Sequence, residues 1–227
     1  MKNSLIRKGE FIIAYGPMKS GKSEEIISIV GKLDIANSKG FHKKYQLFKP
    51  SNDERDGPFI ISRSASSSSP IKYPSTFIDY ENPLSILDYL DPETQMVGID
   101  EMEFFKNGIV QVVEELLKRD IYVVGAGLDL DFKREPFGYM SQLINLATER
   151  VYKKAICDSC GGIATLTQRL NPDGSPASYD SPIVAVEQES VLEQKAEKEI
   201  KSILEYKYEA RCFHCYEVPD GPFKTTK

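Results

Sequence analysis

Gly16-Pro17-Met18-Lys19-Ser20-Gly21-Lys22-Ser23 fits the pattern G-x-x-x-x-G-K-[ST] and follows an apolar run, Phe11-Ile12-Ile13-Ala14-Tyr15. Such a motif cradles a triphosphate when it stands between a strand and a helix. The glycines let backbone N–H groups turn inward, Lys22 reaches the β and γ oxygens, and the Ser23 hydroxyl is placed to ligate Mg²⁺. Residues 24–30 continue as a helix whose amino-terminal dipole favours the same anion.

Outward from this loop the apolar periodicity alternates. It predicts strands over 10–15, 44–49, 95–100 and 120–126, and helices over 22–39, 83–90, 105–119 and 138–149. Met96-Val97-Gly98-Ile99 and Ile121-Tyr122-Val123-Val124 are nearly unbroken apolar runs, the signature of strands buried on both faces of a parallel sheet. The expectation is an α/β fold: a P-loop, RecA-like parallel sheet flanked by helices. Residues 51–80, rich in Ser, Pro and Asp around Ser66 to Ser69, read as a mobile loop region.

With 227 residues, 41% of them hydrophobic, the chain has room for one α/β domain of about 150 residues and a smaller appendage. The expected division is 1–150 and 151–227. A net charge of −5 argues against a nucleic-acid surface, and the pairs Lys43-Lys44 and Lys153-Lys154 read as solvated faces. No apolar run approaches the ~20 residues of a membrane span, and no charged-then-apolar leader opens the chain. The expectation is a soluble, cytoplasmic protein with no membrane partner.

All four cysteines lie in the last third, as Cys157-x-x-Cys160 and Cys212-x-x-Cys215. Two such knuckles suit a tetrahedral structural Zn²⁺, with Gly161-Gly162 supplying the turn after the first. Two disulfides, or a redox C-x-x-C, are the competing readings. The 51 residues between Cys160 and Cys212 make the metal a clamp at the base of a long excursion. His214 reads as a bystander on the second knuckle.

Asp100-Glu101 closes the strand 95–100. A carboxylate there, beside a P-loop, can hold Mg²⁺ while its neighbour faces the nucleophile, orienting water in an ATPase or accepting a hydroxyl proton in a kinase.

These residues together resemble a type II thymidine kinase. The resemblance is carried by Gly16-Pro17-Met18-x-Ser20-Gly21-Lys22-Ser23, Lys49-Pro50-x-x-Asp53-x-Arg55, Ile99-Asp100-Glu101-x-x-Phe104-Phe105, Gly127-Leu128-Asp129-x-x-Phe132-x-x-x-Pro136-Phe137-Gly138, Cys157-x-x-Cys160 and Tyr208-Glu209-Ala210-Arg211-Cys212. These blocks run in order over nearly the whole chain. It implies transfer of the ATP γ-phosphate to the 5′-hydroxyl of thymidine, giving thymidine monophosphate for nucleotide salvage. The protein would be a homotetramer with a zinc-ribbon and lasso domain at its carboxy-terminal end.

By the same resemblance, residues 16–23 would bind the ATP phosphates, Ser23 and Asp100 would hold Mg²⁺, and Asp53 and Arg55 would lie beside the phosphates. Glu101 would be the general base. Phe104, Leu128 and Phe132 read as ordinary core residues by themselves. They resemble the walls of a thymine pocket, which suits a flat ring. Thr167, Ile183, Val184, Ala185, Val186, Glu187 and Tyr208 match contact positions of the family's lasso, which reads the base edge mainly through backbone groups.

The chain departs from the family's pattern at four places. Lys19 stands where an apolar residue is usual, Glu103 where Gln is usual, and Glu187-Gln188 where a glycine pair is usual. More residues separate Gln188 from Tyr208 than the family has, and 191–204 reads as an amphipathic helix capped by Ser190 and Glu193. Two other functions stay open on the sequence: a P-loop ATPase module whose zinc lobe docks a partner, and a kinase of the same fold that prefers deoxyuridine.

Overall fold

The computed structural model describes residues 5–53, 55–62, 70–183 and 206–222. The expected helix over 191–204, the lasso residues Val184, Ala185, Val186 and Glu187, and Ser66 to Ser69 lie outside the described residues. The chain forms two compact units that interleave along the sequence. The first runs to Tyr15 and then takes in Gly21–Asp129 and Phe137–Lys153. The second gathers Gly16–Ser20, Leu130–Pro136 and the chain from Lys154 onward.

In the first unit the elements are β1 (Phe11–Tyr15), α1 (Ser23–Ser38), β2 (Tyr45–Pro50), β3 (Phe59–Ser62), β4 (Ile71–Pro74), β5 (Thr76–Ile78), β6 (Met96–Ile99), α2 (Ile109–Lys118), β7 (Tyr122–Gly127), α3 (Met140–Leu146) and β8 (Glu149–Tyr152). Six strands make one sheet in the order β5-β2-β6-β7-β1-β8, every pairing parallel. This is the α/β sheet that the alternating pattern predicts. Parallel strands all end at the same edge, so the loop after β1 and the acidic pair after β6 emerge on one side with β7 between their strands.

The alternation of side chains across the pleat divides the core in two. Phe11, Ile13, Val97, Ile99 and Val123 face α2 and α3, meeting Ile109, Val112, Val113, Leu116, Met140 and Leu143. Ile12, Met96, Tyr122, Val124 and Ala126 face α1, meeting Ile26, Ile27, Val30 and Leu33. Gly98 lies in the middle strand against α1 because nothing larger fits. A Cβ there would stand 2.5 Å from Leu47 Cδ2 and 2.9 Å from Ile26 Cγ2.

Four expectations change. The stretch 51–80 is built in part: β3 and β4 pair as an antiparallel ribbon, and β5 extends the parallel sheet beyond β2. Short strands among Ser and Pro leave little periodicity to read. The helix expected over 105–119 starts at Ile109, because Phe105 is extended and Gly108 takes a φ of 111° against Pro83 and Leu84. Residues 83–88 form a 3-10 turn with Pro83 at its start. The last helix stops at Leu146, where Ala147 turns extended, and the chain becomes β8, an edge strand with mostly exposed side chains.

In the second unit β9 (Ala155–Ile156) and β10 (Ile163–Ala164) form a hairpin around the first cysteine pair, and β11 (Leu166–Leu170) pairs antiparallel with β12 (Lys207–Arg211). Beyond the last pair of that ribbon, Leu170 with Lys207, a turn at residues 171–175 is closed by the Asn171 N–H donating to Ser175 O. All five residues of β11 are buried although three are polar. The Gln168 amide answers this by donating to Glu217 O at 2.7 Å and accepting from Glu217 N–H at 2.9 Å.

Gly98→Ala is expected to keep the fold but cost about 1–3 kcal/mol by overpacking. Urea unfolding measures it, and an unchanged midpoint would show that Leu47 and Ile26 yield freely.

Candidate active site and metal centre

Within the first unit, the edge of the sheet gathers Lys22 and Ser23 at the start of α1 with Asp100, Glu101 and Glu103 after β6. The Ser23 hydroxyl donates to Asp100 Oδ1 at 3.0 Å. Two oxygen donors this close, at the end of a buried strand, match the hard-ligand chemistry of Mg²⁺. Burial, then the neighbouring charge of Glu101, pushes the Asp100 carboxyl up to about 7 against the bonds it accepts from Ser23 and from the Glu101 N–H. Burial also pulls the Lys22 ammonium down, and the carboxylates of Glu101, Glu103, Asp100 and Asp129 oppose it.

Glu101 adopts a left-handed backbone, φ 50° and ψ 46°, which is uncommon for a residue with a side chain. Such strain persists where surroundings over-determine it. Here Arg55 Nη2 donates to Glu101 Oε1 at 2.7 Å while Arg55 Nε donates to Asp53 Oδ1 at 2.5 Å. Asp53 in turn pairs with the buried ammonium of Lys49 at 2.9 Å. Burial raises the Asp53 carboxyl, but Arg55 and Lys49 outweigh it and hold it below the ordinary range. The sequence-predicted Asp53, Arg55, Asp100 and Glu101 are thus joined through one chain of charges. Lys49, its far end, belongs to the same motif block, which assigns it no role.

Glu103, the departure from Gln, is 2% exposed, and neither of its oxygens has a hydrogen-bond partner among the described residues. Its space is made by glycines. A Cβ on Gly127 would stand 2.7 Å from Glu103 Oε2, and one on Gly138 would stand 2.3 Å from Glu103 O. Burial, then the charge of Glu101, raises the Glu103 carboxyl well above the ordinary range, with Lys22 opposing.

Phe104 meets Phe137 edge-on, with centroids 5.5 Å apart, and Leu128 is buried. In the second unit, Phe132 is buried and accepts at its carbonyl from the Tyr216 hydroxyl. Ile183 is exposed and Tyr208 half-buried.

The first five residues of the P-loop belong to the second unit and are tied within it. The Met18 N–H donates to Thr167 Oγ1 at 3.1 Å, and Lys19 Nζ pairs with Asp158 Oδ2 at 2.9 Å. Asp158 also accepts the Ala210 N–H at 2.7 Å. Lys19 stands at φ 62°, beside the permissive Gly16 and Gly21 at 141° and 76°. The charge that replaces an apolar residue at 19 therefore has a partner inside the first cysteine knuckle, a pairing across 139 residues that local reading cannot find.

All four cysteines are free thiols whose sulfurs lie within 4.8 Å of one another. The Cys160 and Cys212 sulfurs are 3.7 Å apart. A tetrahedron with metal–sulfur bonds of about 2.3 Å has an edge of about 3.8 Å. Burial raises the Cys157 thiol, but N–H groups of Cys212, Cys160 and Ser159 aimed at its sulfur bring it down to about 6. A sulfur that ionises easily, in a cluster of this size, fits a structural zinc site.

The family model described as Thymidine kinase matches residues 9–216. Among curated relatives, the Thymidine kinase of Coprothermobacter proteolyticus (strain ATCC 35245 / DSM 5265 / OCM 4 / BT) is 38% identical over 216 residues, 95% of this chain and 94% of the relative.

Glu103 gives a prediction for stability against pH. Its folded value is raised, so between the ordinary 4.5 and that higher value the folded chain holds a proton that the unfolded chain releases. Stability is therefore lost as pH rises through this window. Glu103→Gln, which cannot ionise, should gain in melting temperature over the parent more at pH 8 than at pH 5. A difference independent of pH would mean that Glu103 ionises normally.

Proposed function

Given that the chain belongs to the thymidine kinase family, and so phosphorylates thymidine with ATP, we propose that Glu101 is the general base and that residues 16–23 hold the triphosphate. The observation that supports this most is the pairing of Ser23 with Asp100 beside a Glu101 carboxylate steered by Arg55. Glu101 takes the proton from the 5′-hydroxyl as its oxygen bonds to the γ-phosphorus. The bond to the β–γ bridging oxygen breaks and ADP leaves. Ser23 and Asp100 would hold Mg²⁺, which when bound would offset negative charge on the triphosphate.

Asp53 acts through Arg55: with Lys49 it fixes the guanidinium that aims Glu101. Near the phosphates that guanidinium also offers positive charge. Phe104, Leu128 and Phe132 wall the thymine, with Thr167, Ile183, Val184, Ala185, Val186, Glu187 and Tyr208 as nucleoside contacts. This assignment rests on the resemblance of their motifs. Cys157, Cys160, Cys212 and Cys215 hold a structural Zn²⁺, supported by the 3.7 Å sulfur spacing. The division at 150/151 is carried by length and composition and the cytoplasmic placement by the lack of a membrane-length apolar run, while a homotetramer and a role in nucleotide salvage are carried by the resemblance. No helix among the described residues is long and apolar enough to cross a membrane.

Glu101→Gln should leave ATP binding largely intact and lower turnover by about 10²–10⁴, the usual contribution of a general base. Turnover at the parent's level would remove Glu101 from that role. The purified chain should carry one zinc, and Cys160→Ser should lower both zinc content and melting temperature. Metal analysis without zinc, and four freely titratable thiols, would overturn the zinc assignment.

A further inference from the structure

Arg169 lies on β11, 0% exposed, and it is the largest of the fully buried side chains among the described residues. A guanidinium has five N–H donors in a fixed fork. Here Nη1 donates to Pro182 O at 2.6 Å, while Nε and Nη2 meet no acceptor among the described residues. Compensation comes from two aromatic faces. The guanidinium carbon is 4.0 Å from the centroid of the Phe132 ring and 4.2 Å from that of Tyr206. Stacked aromatic faces attract a cation most strongly where water is excluded.

Burying a cation with so few hydrogen bonds is a poor way to stabilise a core, and an apolar residue of similar volume usually does as well or better. The arrangement gains something else. One rigid plane fixes the Phe132 ring, the carbonyl of Pro182 and the ring of Tyr206 relative to one another. The backbone of Phe132 is already pinned, since its carbonyl accepts from the Tyr216 hydroxyl. Lys133 Nζ flanks the same ring at 5.7 Å. With Arg169 in place the ring is held through its main chain and through its face. Pro182 precedes and Tyr206 follows residues 183–205, in which most of the matched lasso contacts fall.

We propose that Arg169 is a positioning residue for nucleoside binding: it holds Phe132 as a fixed wall and ties Pro182 and Tyr206 to that wall without touching the nucleoside. The proposal rests on the reading of Phe132 as part of the thymine pocket. Planarity matters as much as charge, because lysine keeps the cation but has neither the flat face nor the fork.

The test is steady-state kinetics of the full chain with Mg-ATP and thymidine, each substrate varied separately, for Phe132→Leu, Arg169→Met, Arg169→Lys and Tyr206→Leu. Arg169→Met should raise KM for thymidine about tenfold, the scale of one lost hydrogen bond from a charged donor. KM for ATP should stay within about twofold. Arg169→Lys and Tyr206→Leu should give smaller rises with the same selectivity. The double variant of Phe132→Leu and Arg169→Met should bind thymidine no worse than Phe132→Leu alone, since the arginine acts through that ring.

A parent-like KM for thymidine in Arg169→Met, when Phe132→Leu raises it, overturns the proposal; so do equal losses for both substrates. If Phe132→Leu itself leaves thymidine binding unchanged, the pocket reading falls instead. Should Arg169→Met fail to fold, Arg169→Lys and Tyr206→Leu decide: selective weakening of thymidine supports the role, and parent-like constants for both overturn it.

Discussion

Three carboxyl groups within four residues, Asp100, Glu101 and Glu103, come together at the end of a buried strand. The local structure is arranged around keeping them there. Charges of one sign in a poorly solvated place repel and titrate upward. The chain meets this in three ways. Asp100 takes the Ser23 hydroxyl, Glu101 takes an arginine, and burial pushes the Glu103 carboxyl toward its neutral form. The arginine is itself fixed by Asp53, and Asp53 by a buried lysine. The left-handed turn at Glu101 is the backbone's share of the same arrangement, since it puts adjacent side chains to different uses.

What the sequence made legible was local. The P-loop, the apolar runs of β6 and β7 and the acidic strand end each occupy fewer than ten consecutive residues, and each has a mechanical reason visible in its residue types. Less visible was anything decided by distant chain. Glu103 could be seen as a departure from Gln, but its burial depends on Gly127 and Gly138, more than twenty residues on. Thr167, Gln168 and Arg169 in β11 are polar, yet all three are buried: Thr167 accepts from the Met18 N–H, Gln168 exchanges hydrogen bonds with Glu217, and Arg169 donates to Pro182 and lies against two rings. The ribbon of β3 and β4 escaped because Ser and Pro mask a period of two that spans just four residues per strand.

The cysteine knuckles show a middle case. Their spacing announced a tetrahedral site, and the sulfurs do cluster on that scale. The spacing did not announce that the knuckle carries Asp158 between its cysteines, binding both a backbone N–H and the ammonium of Lys19. An exposed ion pair of this kind contributes little to stability by itself. Its interest is positional, since it fixes the amino-terminal half of the phosphate loop within the second unit.

The strand order has a consequence for how the molecule is made. β1 lies between β7 and β8, pairing Phe11 with Val123 and Ile12 with Glu149. A ribosome delivers Phe11 more than a hundred residues before either neighbour exists. Closing loops of that length is entropically costly and slows assembly, as it does for parallel sheets in general. Until then an apolar strand with two open edges waits in the nascent chain, a species prone to misassociation. The strand that leads into the phosphate loop is therefore among the last to be completed, and a chain interrupted before residue 122 would display the phosphate-loop sequence with neither of β1's partners.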